Sequence, residues 1–233
     1  LVLARLIVEI ANHPELGEEL VFRGGTCLHK VVLPEPLRYS EDLDYVRASH
    51  GPIGPVLDAI REIADRLGMD VNTDVGAYPK VRLRAPFESG AGLMRVKIEI
   101  NTYETSPARP HRRATYHVES GWWSGGADVL TFQPEELVAT KLRALFQRRK
   151  GRDLFDLWLA LTVLGLDPAE IVACFDPYRP DGYTGERARQ GLEEHLGDPG
   201  FRADLLPLLH EVPGGYDVDA AGALVAGELL SLV

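Results

Sequence analysis

The chain has 233 residues, a net charge of −10, and ordinary globular proportions of 45% hydrophobic and 26% charged residues. It holds no run of about eighteen apolar residues, which excludes a transmembrane helix. Its two cysteines, Cys27 and Cys174, lie far apart without a CxxC, which argues against a disulfide scaffold or zinc site and fits a reducing, cytoplasmic setting.

The elements read in chain order as follows. Leu3, Leu6, Ile7 and Ile10 fall at helical spacing, then "NHPELG" breaks the helix. The chain opens inside this helix without an initiator methionine, so upstream sequence is expected to be missing. "LVF" (20–22) reads as a short buried strand, Gly24 and Gly25 permit a tight turn, and a short helix follows from Thr26 to Val32 until "PEP" ends it. "DLDYV" (42–46) reads as a strand. "PIGPVLDAIREIADRLG" is an amphipathic helix, with Val56, Ile60, Ile63, Ala64 and Leu67 on one stripe and Gly68 at its end. Three alternating segments follow: "MDVNTDV", "KVRLRAPF" and "LMRVKIEINTY". In the last, Val96, Ile98 and Ile100 point one way, and Lys97 and Glu99 the other. "DVLTF" (128–132) is a further strand.

After Pro134 the period turns helical. "PEELVATKLRALFQRR" opens with Pro and two Glu and closes on arginines, matching the helix dipole. "RDLFDLWLALTVLG" is a second helix with a core stripe of Leu154, Leu157, Trp158 and Leu161. "DPAEIVACF" begins a third, and two more are expected near 186–196 and 219–232. The expected division is an α/β core over 1–132 and a helical domain over 133–233. The element order is not a Rossmann repeat.

Charge is uneven along the chain. Residues 1–94 hold 10 basic and 14 acidic residues, 95–152 hold 11 and 6, and 153–233 hold 4 and 15. A basic middle between acidic ends can make a local positive groove. "RPHRR" (109–113) and "RRKGR" (148–152) are candidates to track an RNA backbone, or are solvated faces. Trp122 and Trp123, in "ESGWWSGG", can stack on a base or be buried as core.

The Gly24-Gly25-Thr26 turn offers backbone N–H groups and no Cβ, a setting for phosphate, with the Thr26 hydroxyl bonding phosphate or capping the helix. The plainer reading is a strand-to-helix turn. Asp42 and Asp44 stand at i and i+2 on a strand, so their carboxylates share a side. They repel unless a cation sits between them, and hard oxygen donors suit Mg²⁺ with substrate phosphates. A polar strand end is the alternative. Glu99 adds a third carboxylate if its strand neighbours that of Asp42 and Asp44; otherwise it is a solvated strand face paired with Lys97. Lys141 lies at the edge of an apolar stripe, where a lysine can reach phosphate oxygens or snorkel to the surface. Asp153 sits near a helix start, three residues before Asp156 on nearly the same face. It is a first-turn acid or an orienting group for Lys141 or an arginine. His29, His111 and His117 show no metal spacing, and GxSxG, HExxH and P-loop motifs are absent.

"LVFRGGTCLHK", "RYSEDLDY", "VKIEI", "PEELVATKLRAL" and "RRKGRDLFDLWLAL" together resemble the AbiEii/AbiGii nucleotidyltransferase toxin family, distant relatives of the polymerase-β superfamily. The likeness covers roughly residues 15–165; Arg23 stands where the family often has Lys. It implies an α+β fold, a polymerase-β-like mixed sheet with flanking helices followed by a C-terminal helical bundle that brings Lys141 and Asp153 to the site. It implies Asp42, Asp44, Lys141 and Asp153 as catalytic residues. Gly24, Gly25, Thr26 and Lys141 would bind the nucleotide, and Asp42, Asp44 and Glu99 would hold Mg²⁺ or Mn²⁺. The implied function is a toxin of a toxin–antitoxin pair, cytoplasmic and with a cognate antitoxin. It would move a nucleoside monophosphate from an NTP, a pyrimidine favoured, to the 3′ acceptor end of tRNA, as MenT-type relatives do, and so block aminoacylation. The alternatives are transfer to a protein or small-molecule hydroxyl, or a non-catalytic nucleotide- or antitoxin-binding module.

Overall fold

A computed structural model describes residues 1–86 and 92–233. They form two compact units. The first comprises Leu1–Glu35, Ser40–Pro107 and His111–Phe132; the second comprises Pro36–Tyr39, Ala108–Pro110 and Gln133–Val233.

The first unit is built on a seven-stranded mixed sheet of order β3-β4-β5-β2-β1-β7-β6. Its strands are β1 (Leu20–Arg23), β2 (Asp42–Arg47), β3 (Asp70–Asp74), β4 (Lys80–Pro86), β5 (Leu93–Asn101), β6 (Arg112–Val118) and β7 (Gly125–Thr131). β2 runs parallel to β5 and β1 parallel to β7, while the other pairs are antiparallel. The period of two decides burial on β4 and β5, where Val81, Leu83, Val96, Ile98 and Ile100 are buried and their neighbours are not; on β2 Leu43 is buried between half-buried Asp42 and Asp44, and the strand is buried throughout from Tyr45 to Arg47. Phe87, read from sequence as the end of β4, lies outside the described residues.

Four α-helices among the described residues belong to this unit. α1 (Val2–Ala11) packs on β7, and Asn12 Nδ2 donates to the Gly126 carbonyl at 3.0 Å. α2 (Leu16–Glu19) is one turn that begins at the end of the stretch read as a break and runs two residues past it. α3 (Gly24–Cys27) runs on as a π-helical turn, Leu28–Val32, so the helix expected from Thr26 begins two residues earlier. α4 (Gly54–Arg66) has Pro55 in its first turn and ends before Gly68, whose φ of +66° only glycine adopts easily. It buries Val56, Leu57, Ile60 and Ile63, each worth about 1.5–3 kcal/mol when fully covered.

The second unit is helical: α5 (Pro134–Gln147), α6 (Gly151–Thr162), α7 (Pro168–Ala173), α8 (Gly185–Leu196), α9 (Pro199–Ala203) and α10 (Val218–Glu228). Asp167, Thr184, Asp198 and Asp217 cap α7 to α10 by accepting first-turn N–H groups. α5 packs on α6, and α6 on α10, around Leu137, Leu142, Leu154, Phe155 and Leu159. Glu136 is fully buried. Its carboxylate accepts from the Ala108 and Arg109 N–H groups at 2.6 and 3.0 Å and from the Tyr178 hydroxyl at 2.6 Å, so the buried charge is met.

Candidate active site

Sheet register assembles the first group of functional side chains. β2 puts Asp42 and Asp44 on one face. Parallel β5 lies alongside, with Lys97 opposite Asp42 and Glu99 opposite Asp44. On the other flank, antiparallel β1 sets Arg23 opposite Asp44. The row across four strands is therefore Lys80, Glu99, Asp44, Arg23, two carboxylates between two cations.

Lys97 Nζ lies 2.9 Å from Asp42 Oδ2 and 3.2 Å from Glu99 Oε1, and Lys80 Nζ lies 3.3 Å from Glu99 Oε1. Partial burial works against the Glu99 carboxylate, but Lys97 and then Lys80 outweigh it and hold its pKa below the usual range. Burial likewise disfavours the Lys97 ammonium, and Asp42 and Glu99 outweigh that and raise its pKa. Both groups are charged at neutral pH. The strand of Glu99 does neighbour that of the aspartates, and Glu99 pairs with Lys97.

The glycine turn meets the same carboxylates. Gly24 has φ +80°, and a Cβ there would overlap Asp44 Oδ2, with Asp44 Cβ and Cγ 3.0 Å away. Glycine is required twice over, for the backbone angle and for the close approach. Thr26 is fully buried and makes no helix cap. Its hydroxyl contacts the Asp42 carbonyl at 2.5 Å and Ser40 Oγ at 2.8 Å, tying the turn to the aspartate strand. Beneath it, burial pushes the Cys27 thiol up to about 12 despite its contact with Thr131, so Cys27 is an inert core group.

Asp42 and Asp44 fit a hard divalent cation: two oxygen donors on one open face, at a place that already draws in the Lys97 ammonium. Among the described residues no three His, Cys, Asp or Glu side chains stand together as a metal centre. The expected trio with Glu99 is therefore not gathered; Lys97 Nζ stands between Asp42 and Glu99.

Lys141 and Asp153 meet inside the second unit, in a buried ionic cluster. Lys141 Nζ lies 2.7 Å from Asp156 Oδ2 and 3.6 Å from Asp153 Oδ1. Asp156 also accepts two bonds from Arg38, at 2.8 and 2.7 Å, and Asp153 two from Arg148, at 2.7 and 2.8 Å. Such forked pairs fix geometry as well as charge. Burial opposes the Arg38 charge, but Asp156 more than compensates and raises its pKa. Lys141 is buried rather than snorkelling, and Asp153 holds an arginine from the first turn of α6.

Sequence reasoning did not single out Arg38, Asp156 or Lys97 as site residues. Asp156 carried a signal, its position three residues beyond Asp153 on the same helix face. Arg38 opens the "RYSEDLDY" motif itself, but its partner is 118 residues away in sequence.

The two expected basic clusters are largely neutralised. Arg109 pairs with Glu170 and Glu135, and Arg113 with Glu18. Arg148 pairs with Asp153, Arg149 with Asp198, and Lys150 and Arg152 with Asp204. Trp122 is 76% exposed and so is not the core residue of one of its two readings, because the β6–β7 turn carries it into solvent. Trp123 is half-buried, with the Arg5 guanidinium over its ring at 5.5 Å.

The family described as "Nucleotidyl transferase AbiEii toxin, Type IV TA system" is matched over residues 5–223. Among solved structures the fold is similar to MenT4, a nucleotidyltransferase toxin from Mycobacterium tuberculosis. That match has 17% identity and a TM-score of 0.55, over 100% of this chain and 82% of that one. It is also similar to JHP933 from Helicobacter pylori, at 21% identity and a TM-score of 0.53, over 99% of this chain and 88% of that one. No curated protein matches the chain. No helix among the described residues is long and apolar enough to cross a membrane.

Proposed function

Because the chain belongs to the AbiEii nucleotidyltransferase toxin family of type IV toxin–antitoxin systems, we propose that it transfers a nucleoside monophosphate from an NTP, a pyrimidine favoured, to the 3′ end of tRNA. The transfer would block aminoacylation and translation until the cognate antitoxin intervenes. The observation that carries this reading is the register of β1, β2 and β5, with Asp42, Asp44 and Glu99 on one open face and the glycine turn against Asp44.

In this reading Asp42 and Asp44 would hold Mg²⁺ or Mn²⁺, which when bound would supply charge neutralisation on the triphosphate and lower the pKa of an attacking hydroxyl. Gly24 gives its Cβ space to the Asp44 carboxylate and so holds the turn against it, while the backbone N–H groups of Gly24 and Gly25 would take phosphate oxygens. Thr26 acts through position, anchoring the turn to the Asp42 carbonyl. Glu99 keeps Lys97 and Lys80 beside the aspartates, where their charge favours an anionic substrate, and with its carboxylate so paired Glu99 would be the weaker donor to a metal. Lys141 and Asp153 are included among the residues on which transfer depends, through the charged centre they form in their own unit. Pyrophosphate leaves as the acceptor oxygen bonds to the α-phosphorus, and the hydroxyl proton passes to a carboxylate of the β2 face or to solvent.

The experiment is incubation with tRNA and each labelled NTP in turn, in the presence of Mg²⁺. The proposal expects label on the tRNA 3′ end with CTP or UTP. Label on protein and none on RNA would assign the acceptor to a protein hydroxyl instead.

A further inference from the structure

The same sheet face extends past the aspartates as a ladder of cations. On β4, Lys80, Arg82 and Arg84 point away from buried Val81 and Leu83; on β5, Arg95 and Lys97 point away from buried Val96 and Ile98. The register sets Arg84 directly opposite Arg95 and Arg82 directly opposite Lys97. Like charges facing each other across a sheet are destabilising, and here two such pairs follow one another. Lys97 and Lys80 are spent on Asp42 and Glu99. Arg82, Arg84 and Arg95 are exposed, and no ion pair among the described residues takes them up. This contrasts with the clusters at 109–113 and 148–152, where most cations have acidic partners. On β3 the exposed Asp70 and Asp74 stand opposite Arg84 and Lys80, so the ladder is bordered by acid on its outer side.

The ladder ends in aromatic surface. Tyr78, two residues before Lys80, and Tyr103, two residues after Asn101, are 56% and 64% exposed, and their rings touch edge to face with centroids 5.7 Å apart. Three rows about 6.8 Å apart, Arg84–Arg95, Arg82–Lys97 and Lys80–Glu99, therefore lead to an aromatic platform, and the last two lie beside Asp42 and Asp44.

We infer that this β4–β5 face is the track for the single-stranded 3′ end of an RNA acceptor. Arg82, Arg84 and Arg95 hold backbone phosphates, and the Tyr78–Tyr103 pair stacks a base. The inference rests on the proposed transfer to RNA and adds to it where the acceptor lies. A cationic groove with aromatic faces is the general solution for single strands, because every base has a π-face and every nucleotide a phosphate. The acidic border on β3 confines a polyanion to β4 and β5 and leads it toward the aspartates.

The test measures binding of a short 5′-labelled single-stranded RNA with a free 3′ hydroxyl across a range of salt. The proteins are wild type, the triple variant Arg82→Ser/Arg84→Ser/Arg95→Ser, and Tyr103→Ala. A reference triple, Arg61→Ser/Arg66→Ser/Arg113→Ser, removes equal charge elsewhere in the unit, and circular dichroism confirms folding of each. Each lost phosphate contact lowers the slope of log affinity against log salt by about 0.7, so the ladder variant is expected to lose about 2 from the slope. Tyr103→Ala is expected to weaken binding with the slope unchanged, and the reference triple to behave as wild type. A ladder variant that binds RNA with wild-type affinity and slope overturns the track; if wild type still labels tRNA, the proposed function stands without it. RNA binding that depends on these arginines in a protein that transfers nothing to tRNA refutes the function and leaves the track. Wild type that ignores RNA but binds an acidic protein through the three arginines overturns the track in favour of a protein partner.

Discussion

Neutralising Asp156 removes the carboxylate shared by two buried cations of the second unit. The carboxylate is fully buried and takes Arg38 Nε and Nη2 at 2.8 and 2.7 Å and Lys141 Nζ at 2.7 Å. Asp156→Asn keeps the volume and removes the charge. The Arg38 and Lys141 side chains, only 4% and 6% exposed, then lose the carboxylate that offsets their desolvation, and Lys141 is left with Asp153 at 3.6 Å. An asparagine also turns an N–H₂ donor toward donors. Breaking a buried pair from one side costs about 3–5 kcal/mol, a large part of an ordinary stability of about 5–15 kcal/mol. Asp153→Asn is the comparison. Its partner Arg148 is half-exposed and can turn to water, and Lys141 keeps Asp156, so the cost is about 1–3 kcal/mol. Urea unfolding followed by Trp158 fluorescence reads the difference, since Trp158 on α6 packs against Tyr216 at 5.1 Å. A Trp122→Phe/Trp123→Phe background removes the other indoles. Asp153→Asn costing as much as Asp156→Asn would refute the assignment of Asp156 as the centre of the cluster.

Three further outcomes follow from named contacts. Gly68→Ala meets open space and incurs only the left-handed backbone cost of about 1–2 kcal/mol, whereas Gly24→Ala adds overlap with Asp44; thermal unfolding should rank Gly24→Ala as the worse, and an equal loss would deny the close approach. Arg95→Thr is expected to stabilise by about 0.2–1 kcal/mol through relief of repulsion from Arg84, which keeps Asp70 opposite it on β3, and a double-mutant cycle showing attraction between the two arginines would contradict the register argument. Burial, with Arg149 adding to it, lowers the pKa of His195, whose Nδ1 lacks a hydrogen-bond partner among the described residues. Between the folded value and the unfolded one of about 6.5, the unfolded chain binds a proton that the folded chain does not. Stability should therefore fall as pH drops through that window, and His195→Leu should flatten the fall.

The sheet was legible wherever apolar residues alternate. β4 and β5 bury every second side chain, and β2 does so through Asp42, Leu43 and Asp44 before it is buried on both faces; β2 and β5 carry the aspartates and Glu99. β6 was invisible for the opposite reason: of "RRATYHV" only Ala114 is buried, and the strand exists because it pairs with β7. The early start of β7 is likewise a matter of pairing, with Gly126 facing His117 where a Cβ would collide with its ring. In the candidate site the residue types were legible and their partners were not. No local pattern says that Lys97 will lie against Asp42, because that follows from β5 running parallel to β2. Arg38 shows the same limit, since a surface-type residue in a loop became the buried partner of Asp156 through tertiary placement alone. The basic clusters misled because runs of arginine in sequence found acids in space, while the ladder on β4 and β5 is dispersed as every second residue of two strands and joins only across the register.

The central claim is that Asp42 and Asp44 carry nucleotidyl transfer. Its most direct measurement is the rate of label transfer from α-labelled CTP or UTP to tRNA, with Mg²⁺, by wild type, Asp42→Asn and Asp44→Asn. Each variant is first shown to be folded by its thermal transition. The account predicts transfer by wild type and its loss in both folded variants. Transfer at the wild-type rate by either variant would contradict it.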